Sequence, residues 1–290
     1  MAPAHLPLTP QLLAQLQDWL AEDLGRGDLT APAMAGARGR AHWICKAPGV
    51  FCGGLLAQPL FALLDPAVVV RPLVAEGEAV VAGQRLLELE GSAAALVAAE
   101  RTALNLAMRL SGIATATAGL VAQLAGTGVH LADTRKTTPG LRLLEKYAVR
   151  CGGGINHRLG LDDAAMLKEN HLAWSGGVAA AIAAVRAQAP WPARVIVEAE
   201  TAAEAEAAVG AGADGVLLDE FEPAELIALV PRLRQLAQQR GGVVVLEASG
   251  VKPDQLVAYG ATGIDLISTS APITRAPWLD LSMRFEPDWV

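Results

Sequence analysis

The sequence predicts an α/β protein in two parts, a small α+β region followed by a shortened or open (β/α) barrel. Three observations lead there. After Gly126 the chain repeats one unit, a short apolar strand closed by a polar residue and then an alanine- and leucine-rich helix, which is the grammar of a parallel sheet. Before Gly126 the pattern differs, with short β-like runs set between glycines and prolines and flanked by longer helical stretches. The repeating region runs from about 115 to 275, shorter than the roughly 200 residues or more of a closed eight-unit barrel. An open doubly wound sheet is the alternative, but no G-x-G-x-x-G follows the first strand to support a dinucleotide fold.

Taken in order, Thr9 is placed to cap a helix with Pro10 at its first position, and Leu12, Leu13, Leu16, Trp19 and Leu20 then fall on one face. From 41 to 90 come β-like runs such as 41–46 and 68–74. The stretch P-L-V-A-E-G-E-A-V-V-A-G-Q-R-L-L-E-L-E-G (72–91) resembles the strand-turn-strand of biotin and lipoyl carriers, yet no lysine occurs between 72 and 96 to bear a cofactor. Residues 92–124 read as one or two helices, with Leu96, Leu104, Met108 and Ile113 interleaved with Glu100, Arg101, Asn105 and Arg109, a regularity expected of a shared interface. The barrel strands are expected at 129–133, 164–168, 194–198, 215–219, 243–247 and 264–268. Its helices are expected at 140–149, 177–188, 201–211, 223–239 and 253–260, with Pro223 and Pro253 at two of the starts.

Composition bounds the function. With 290 residues, 52% hydrophobic and 18% charged, the chain has enough apolar content for one large core or two, and disorder is excluded. Lys and Arg total 23 against 30 Asp and Glu, a net charge of −7 that disfavours broad contact with nucleic acid phosphates. Cys45, Cys52 and Cys151 show no C-x-x-C spacing and are odd in number, so spacing indicates neither a disulfide framework nor a zinc site. No basic stretch, apolar run and small-residue cleavage site opens the chain, and the apolar runs at 53–70 and 178–185 are respectively interrupted and too short to span a bilayer. A cytoplasmic, reducing setting is expected.

The chemistry is expected at the carboxyl ends of the barrel strands, where loops converge. Arg135 and Lys136 follow the first strand, His157 and Arg158 precede the second, and Lys168 ends it. Glu198, Asp219 and the run Glu247-Ala248-Ser249-Gly250 end the next three. Gly152, Gly153 and Gly154 would let backbone amides approach a ligand. Each has a bland alternative: loop charges for Arg135 and Lys136, a hydrogen-bonded turn for His157, a flexible connection for the three glycines, and helix caps for the two carboxylates. Repetition strand after strand favours a pocket. Glu198 and Asp219 on neighbouring strands can share a hydrated Mg²⁺, directly or through water. Arginines suit planar carboxylates and lysines suit pyrophosphate. Ser249-Gly250 and Ser268-Thr269-Ser270 offer hydroxyls and amides to a terminal phosphate. No Walker A loop is present, and L-L-D-E-F (217–221) continues into a helix instead of the glycine-threonine loop of the common phosphoribosyltransferase fold. The implied substrate carries several negative charges, such as a diphosphate together with a carboxylated ring.

At this point the chain resembles the quinolinate phosphoribosyltransferase family. The resemblance rests on A-E-D-L-G-R-G-D-L-T (21–30), E-R-T-A-L-N (100–105), D-T-R-K-T-T-P-G (133–140), K-Y-A-V-R-C-G-G-G-I-N-H-R-L-G-L (146–161), L-K-E-N-H (167–171), V-E-A-E-T (197–201), V-L-L-D-E-F (216–221) and L-E-A-S-G (246–250). It implies an N-terminal α/β sandwich over 1–114, joined by 276–290, and an open TIM-like barrel over 115–275. It also implies transfer of phosphoribosyl from phosphoribosyl pyrophosphate to quinolinate with decarboxylation, assisted by Mg²⁺. In that family the residues matching Arg135, His157 and Arg158 hold the quinolinate carboxylates, and those matching Lys136 and Lys168 lie near pyrophosphate and ring. Glu198 and Asp219 match residues near ribose and metal; Thr134, Ser249, Gly250, Ser268 and Ser270 complete the expected substrate contacts. The catalytic set is Lys136, Lys168, Glu198 and Asp219. Arg101 matches an arginine that enters the partner subunit's site, which implies a homodimer.

One stretch departs from the family. After the last strand, T-S-A-P-I-T-R (269–275) stands where many members have V-G-A-L-T-H-S, and this also resembles the family's molybdenum-transport-associated paralogue. Lys168 of L-K-E-N-H favours the transferase. A barrel lyase using Lys168 as a Schiff base and a non-catalytic protein binding an anionic metabolite are the other classes.

Overall fold

The computed structural model describes residues 4–286. The chain divides into two compact units, one formed by the residues up to Ala118, Leu143–Gly153 and those from Arg275, the other by Gly119–Arg142 and Gly154–Thr274.

In the first unit, α1 (Pro10–Leu24) begins as the sequence requires: Thr9 Oγ1 accepts the Leu12 N–H at 3.2 Å and Pro10 occupies the first turn. Leu12, Leu16 and Leu20, four residues apart, are its buried stripe, each contributing about 1.5–3 kcal/mol on burial. Leu13, expected on that face, is exposed. The unit's sheet is antiparallel with strand order β12-β1-β5-β3, from β1 (Arg38–Cys45), β3 (Val69–Pro72), β5 (Arg85–Ser92) and β12 (Leu281–Phe285). Alternation along β1 buries Ala41, Trp43 and Cys45, and Trp43 pairs with Leu87 and Met283 on its two sides. β2 (Gly49–Val50) and β4 (Ala79–Val80) form a separate small ladder, and α2 (Ala57–Ala62) lies between β2 and β3. The 92–124 stretch is one helix, α3 (Ala93–Gln123). It is long and apolar enough to cross a membrane by length and composition, but half of its most apolar window is buried inside the protein. α4 (Arg142–Cys151), expected as the first barrel helix, belongs from Leu143 onward to this first unit.

The second unit is a six-stranded parallel sheet in the order β6-β11-β10-β9-β8-β7, from β6 (His130–Ala132), β7 (Ala165–Leu167), β8 (Val195–Ala199), β9 (Gly215–Asp219), β10 (Val245–Ser249) and β11 (Leu266–Ser268). This order is cyclic with one join missing, between β6 and β7, which makes the barrel open. Ile155 lies beside β6 at that seam: its N–H donates to Leu131 O at 2.8 Å and its carbonyl accepts from Asp133 N–H at 3.2 Å. The connecting helices are α5 (Glu169–Ser175), α6 (Val178–Gln188), α7 (Ala202–Gly210), α8 (Pro223–Gln239) and α9 (Leu256–Gly260), with the short α10 (Ala271–Thr274) after β11. Thr201 and Glu204 form a reciprocal capping box on α7, and Pro223 opens α8 as predicted. Pro253 does not open α9; it sits in a turn and the helix starts at Leu256. The strand expected at 243–247 runs Val245–Ser249 instead, so Glu247 lies mid-strand and not at its end.

The period of two along each strand sorts the side chains. Val195, Val197, Ala199, Val216, Leu218, Leu246, Ala248 and Ile267 pack into the core shared with the helices. Their alternates, Glu198, Leu217, Asp219, Glu247 and Ser249, turn to the other face, where a cavity opens.

Candidate functional site

The cavity has a volume of about 440 Å³ and lies at the carboxyl ends of the parallel strands. Its wall is built rung by rung: Met166 and Lys168 from β7 and the residue after it, Glu198 from β8, Leu217 and Asp219 from β9, Glu247 and Ser249 from β10, and Ser268 from β11. The loop after β6 adds Thr134, Arg135 and Lys136, and the segment before β7 adds His157 and Arg158. Arg142 is also there. Arg135, Lys136, Arg142, Arg158 and Lys168 outnumber the carboxylates of Glu198, Asp219 and Glu247, a balance that suits an anion with several charges. A second cavity of about 400 Å³ shares His157, Arg158 and Glu247 as a wall but is otherwise lined by lower rungs such as Ile196, Gly215, Val245 and Leu266. The strand-end rule and the convergent charges assign chemistry to the first.

Hydrogen bonds organise the loop that carries His157. Asp133 is fully buried at the end of β6; its Oδ1 accepts the His157 N–H at 2.8 Å and its Oδ2 the Asn156 amide at 2.6 Å. The Arg158 N–H donates to His157 Nδ1 at 2.7 Å, which assigns the ring proton to Nε2. Nε2 stands 3.2 Å from the buried Glu247 Oε2. The Arg158 guanidinium donates to Ala164 O at 3.0 Å. Burial, and next the charge of Arg135, push it below the usual arginine range, so an anion placed between the two guanidinia relieves both costs. Arg142 bridges Thr137 Oγ1 at 3.0 Å and Leu159 O at 3.2 Å, tying the loop after β6 to that before β7.

Lys168 is extended backbone at the start of α5, with its N–H donating to His171 Nδ1 at 3.0 Å. Its ammonium forms an ion pair with Glu198. Asp219 closes β9, and the next residue, Glu220, adopts a left-handed φ of 58°. Gly250 packs against that turn with φ +77°, a conformation that calls for glycine, and a Cβ there would press on Glu220 Cγ at 3.2 Å. Thr134 shapes the first loop, its Oγ1 accepting the Lys136 N–H at 3.0 Å.

Thus Thr134, Arg135, Lys136, His157, Arg158, Lys168, Glu198, Asp219, Ser249 and Ser268 share one cavity. Gly250 and Ser270 are not part of its lining; Gly250 holds a turn, and the Ser270 carbonyl accepts the Ile273 and Thr274 N–H groups of α10. The hydroxyls of Thr269 and Thr274 are spent within that same departing stretch, on the Ala271 N–H and the Ser270 carbonyl. Arg101 is exposed on α3 in the first unit. Arg109, expected on the interface stripe with it, is instead turned inward, donating to the fully buried Glu145 at 2.7 Å. The glycine run also differs from expectation. A Cβ on Gly152 would lie 2.4 Å from Ala114 O and 2.5 Å from Thr117 Cβ, so this residue serves close packing and not approach to a ligand. Sequence reasoning missed Asp133, Asn156, Arg142 and His171, and it placed Glu247 at a strand end. Asp133 had a signal, as the polar residue closing the first strand; the others act only through contacts made in three dimensions.

Known proteins resemble this chain over nearly its whole length. Residues 113–284 match the family described as quinolinate phosphoribosyl transferase, C-terminal domain, and residues 28–111 match its N-terminal domain. A Synechocystis protein named probable nicotinate-nucleotide pyrophosphorylase [carboxylating] is 44% identical over 271 residues, covering 93% of this chain and 90% of the relative. The Homo sapiens nicotinate-nucleotide pyrophosphorylase [carboxylating] is 40% identical over 283 residues, covering 96% and 93%. The structure of the nicotinate-nucleotide pyrophosphorylase from Francisella tularensis superposes with a TM-score of 0.89 at 35% identity, covering 98% of each chain.

Proposed function

The chain belongs to the quinolinate phosphoribosyltransferase family, and from that premise we infer how its cavity performs the reaction. The enzyme transfers phosphoribosyl from phosphoribosyl pyrophosphate to quinolinate with decarboxylation, giving nicotinate mononucleotide, pyrophosphate and CO₂ in de novo NAD synthesis. The observation that carries the residue assignments is the convergence of cations and a carboxylate pair in one cavity at the strand ends.

Arg135, His157 and Arg158 hold the quinolinate carboxylates: two guanidinia that repel one another are recruited by a dianion, and His157, with Nδ1 already accepting, offers only an N–H. Lys136 and Lys168 face the pyrophosphate as mobile point charges, and Ser249 and Ser268 supply hydroxyls to the terminal phosphate. As pyrophosphate departs, positive charge grows on ribose C1 and the ring oxygen. Glu198 and Asp219 stabilise it, and Lys168, paired with Glu198, offsets the charge on the leaving group. The pyridine nitrogen then attacks C1. Loss of the 2-carboxylate as CO₂ leaves its electron pair in the ring plane at C2, stabilised by the adjacent positive nitrogen, and a proton from solvent at C2 completes nicotinate mononucleotide.

Two hard carboxylate donors on adjacent strands fit Mg²⁺, with Asp219 the freer of the two because Glu198 is already paired with Lys168. Held there, Mg²⁺ would neutralise charge on the pyrophosphate. We further propose a homodimer in which the exposed Arg101 of each subunit completes the partner's site, in a cytoplasmic setting where the three free cysteines stay reduced.

The test is to incubate the protein with quinolinate, phosphoribosyl pyrophosphate and Mg²⁺ and follow nicotinate mononucleotide by chromatography. Product from quinolinate and none from nicotinate is expected, with loss of turnover when Mg²⁺ is omitted. Product from nicotinate alone would overturn the carboxylating assignment, and no product from either would favour a binding protein.

A further inference from the structure

In the first unit, away from the groups used above, three side chains with ligating atoms meet. Cys52 follows β2, Glu76 lies between β3 and β4, and Cys151 ends α4, yet their sulfur and carboxylate oxygen atoms all lie within 4.8 Å of one another. Spacing along the chain could not show this, because 24 and 75 residues separate successive members.

Each member is held in place independently. The Cys52 N–H donates to Ser111 Oγ at 2.9 Å, and the same hydroxyl donates back to Cys52 O at 3.0 Å. Glu76 Oε2 accepts from Gly53 N–H at 2.7 Å and Tyr147 Oη at 3.1 Å, and Oε1 accepts the Leu55 N–H at 3.0 Å. The Cys151 carbonyl packs on Gly77, where a Cβ would come within 3.0 Å. The cluster is also acidic throughout. Burial pushes the Cys52 thiol well up, and the neighbouring Cys151 and Glu76 push it further; burial and Glu76 do the same to Tyr147.

We propose that Cys52, Glu76 and Cys151 form a structural site for a borderline-soft divalent cation of the zinc class. Two thiolates and a carboxylate are zinc's ordinary donors, and water takes the fourth place of the tetrahedron. Bonds of about 2.0–2.3 Å place ligand atoms about 3.3–3.8 Å apart, so closure needs an inward shift of roughly an ångström shared among three side chains. Both thiols release their protons to solvent on binding. The cation then cross-links the loop after β2, the β3–β4 turn and the end of α4 within one unit.

The test uses the whole enzyme, stripped with a chelator, reduced and kept under nitrogen. Titration with Cd²⁺ should produce an ultraviolet thiolate-to-cadmium charge-transfer band that saturates at one equivalent, and a large excess of Zn²⁺ should diminish it. Cys151→Ala should lower the apparent affinity at least about tenfold while Cys45→Ala leaves it unchanged, and Zn²⁺ should raise the melting temperature of the wild type and of Cys45→Ala but not of Cys151→Ala. No band at one equivalent, or a band that survives both Cys151→Ala and Cys52→Ala, would overturn the proposal. Zinc-edge X-ray absorption on the wild-type protein needs no variant to fold: sulfur neighbours are expected, and a shell of oxygen and nitrogen only would also overturn it.

Discussion

Lys168 is held at both ends, its N–H by His171 Nδ1 and its ammonium by Glu198, so its charge is aimed and not merely present. Lys168→Ala should lower kcat by about 10²–10⁴-fold, the range for loss of a positioned charge or proton donor. Steady-state kinetics with each substrate varied would check this, and near-normal kcat and KM would remove the residue from the mechanism. Arg109 makes the opposite case. Its guanidinium serves a carboxylate that is fully buried, so Arg109→Ala should cost about 3–5 kcal/mol in urea unfolding. A residue of an intersubunit stripe would instead weaken association and leave subunit stability intact. The strand-end position of Lys168 was legible in the sequence and the inward turn of Arg109 was not, for one physical reason. A strand end announces the direction of its side chain, whereas helical periodicity shows which residues share a face without saying what covers it.

Elements carry their own constraints. Strand period and capping chemistry made β9, α1, α7 and α8 legible nearly to the residue, because Thr9, Thr201 and Pro223 act locally. The packing of α4 with the first unit was not legible, because its contacts, among them Ala114 and Thr117 against Gly152 just past its end, are distant in sequence. Gly152→Ala should therefore destabilise by about 1–3 kcal/mol or more through overpacking, read as a lower melting temperature. At the other end of α3, Asp65 accepts the N–H groups of Ala67 at 2.9 Å and Ser92 at 3.0 Å, joining the turn before β3 to the β5–α3 junction. The Ser92 bond, and next the Ala67 bond, hold its carboxyl below the ordinary 3.8. A depressed carboxyl stabilises the fold above its unfolded value and loses that contribution as pH falls through the folded one. Asp65→Ala should thus lower the melting temperature at neutral pH, and the deficit should narrow below about pH 4. A deficit that stays constant with pH would assign the loss to packing.

At the scale of the whole molecule, the proposed dimer makes a quantitative demand. Arg101→Ala and Lys168→Ala are each expected to be inactive alone. If Arg101 acts in the partner's site, unfolding and refolding the two together restores one intact site per heterodimer, about a quarter of wild-type activity for random pairing. No recovery after mixing would place Arg101's role within its own subunit. The two-part architecture and the cluster at the strand ends were readable from the alternating strand-helix grammar. The bridge Arg142 makes to Leu159 O and the Cys52, Glu76 and Cys151 cluster were not, since each is made by residues apart in the chain.

The missing join between β6 and β7 has a cost that closed barrels avoid, because an unpaired strand is a template on which a foreign strand can add and seed aggregation. Here both margins are only three residues long, and Ile155 already occupies part of the hydrogen-bonding capacity beside β6. The opening therefore presents an invading peptide with too short a ladder to hold, and the barrel stays safe without being closed.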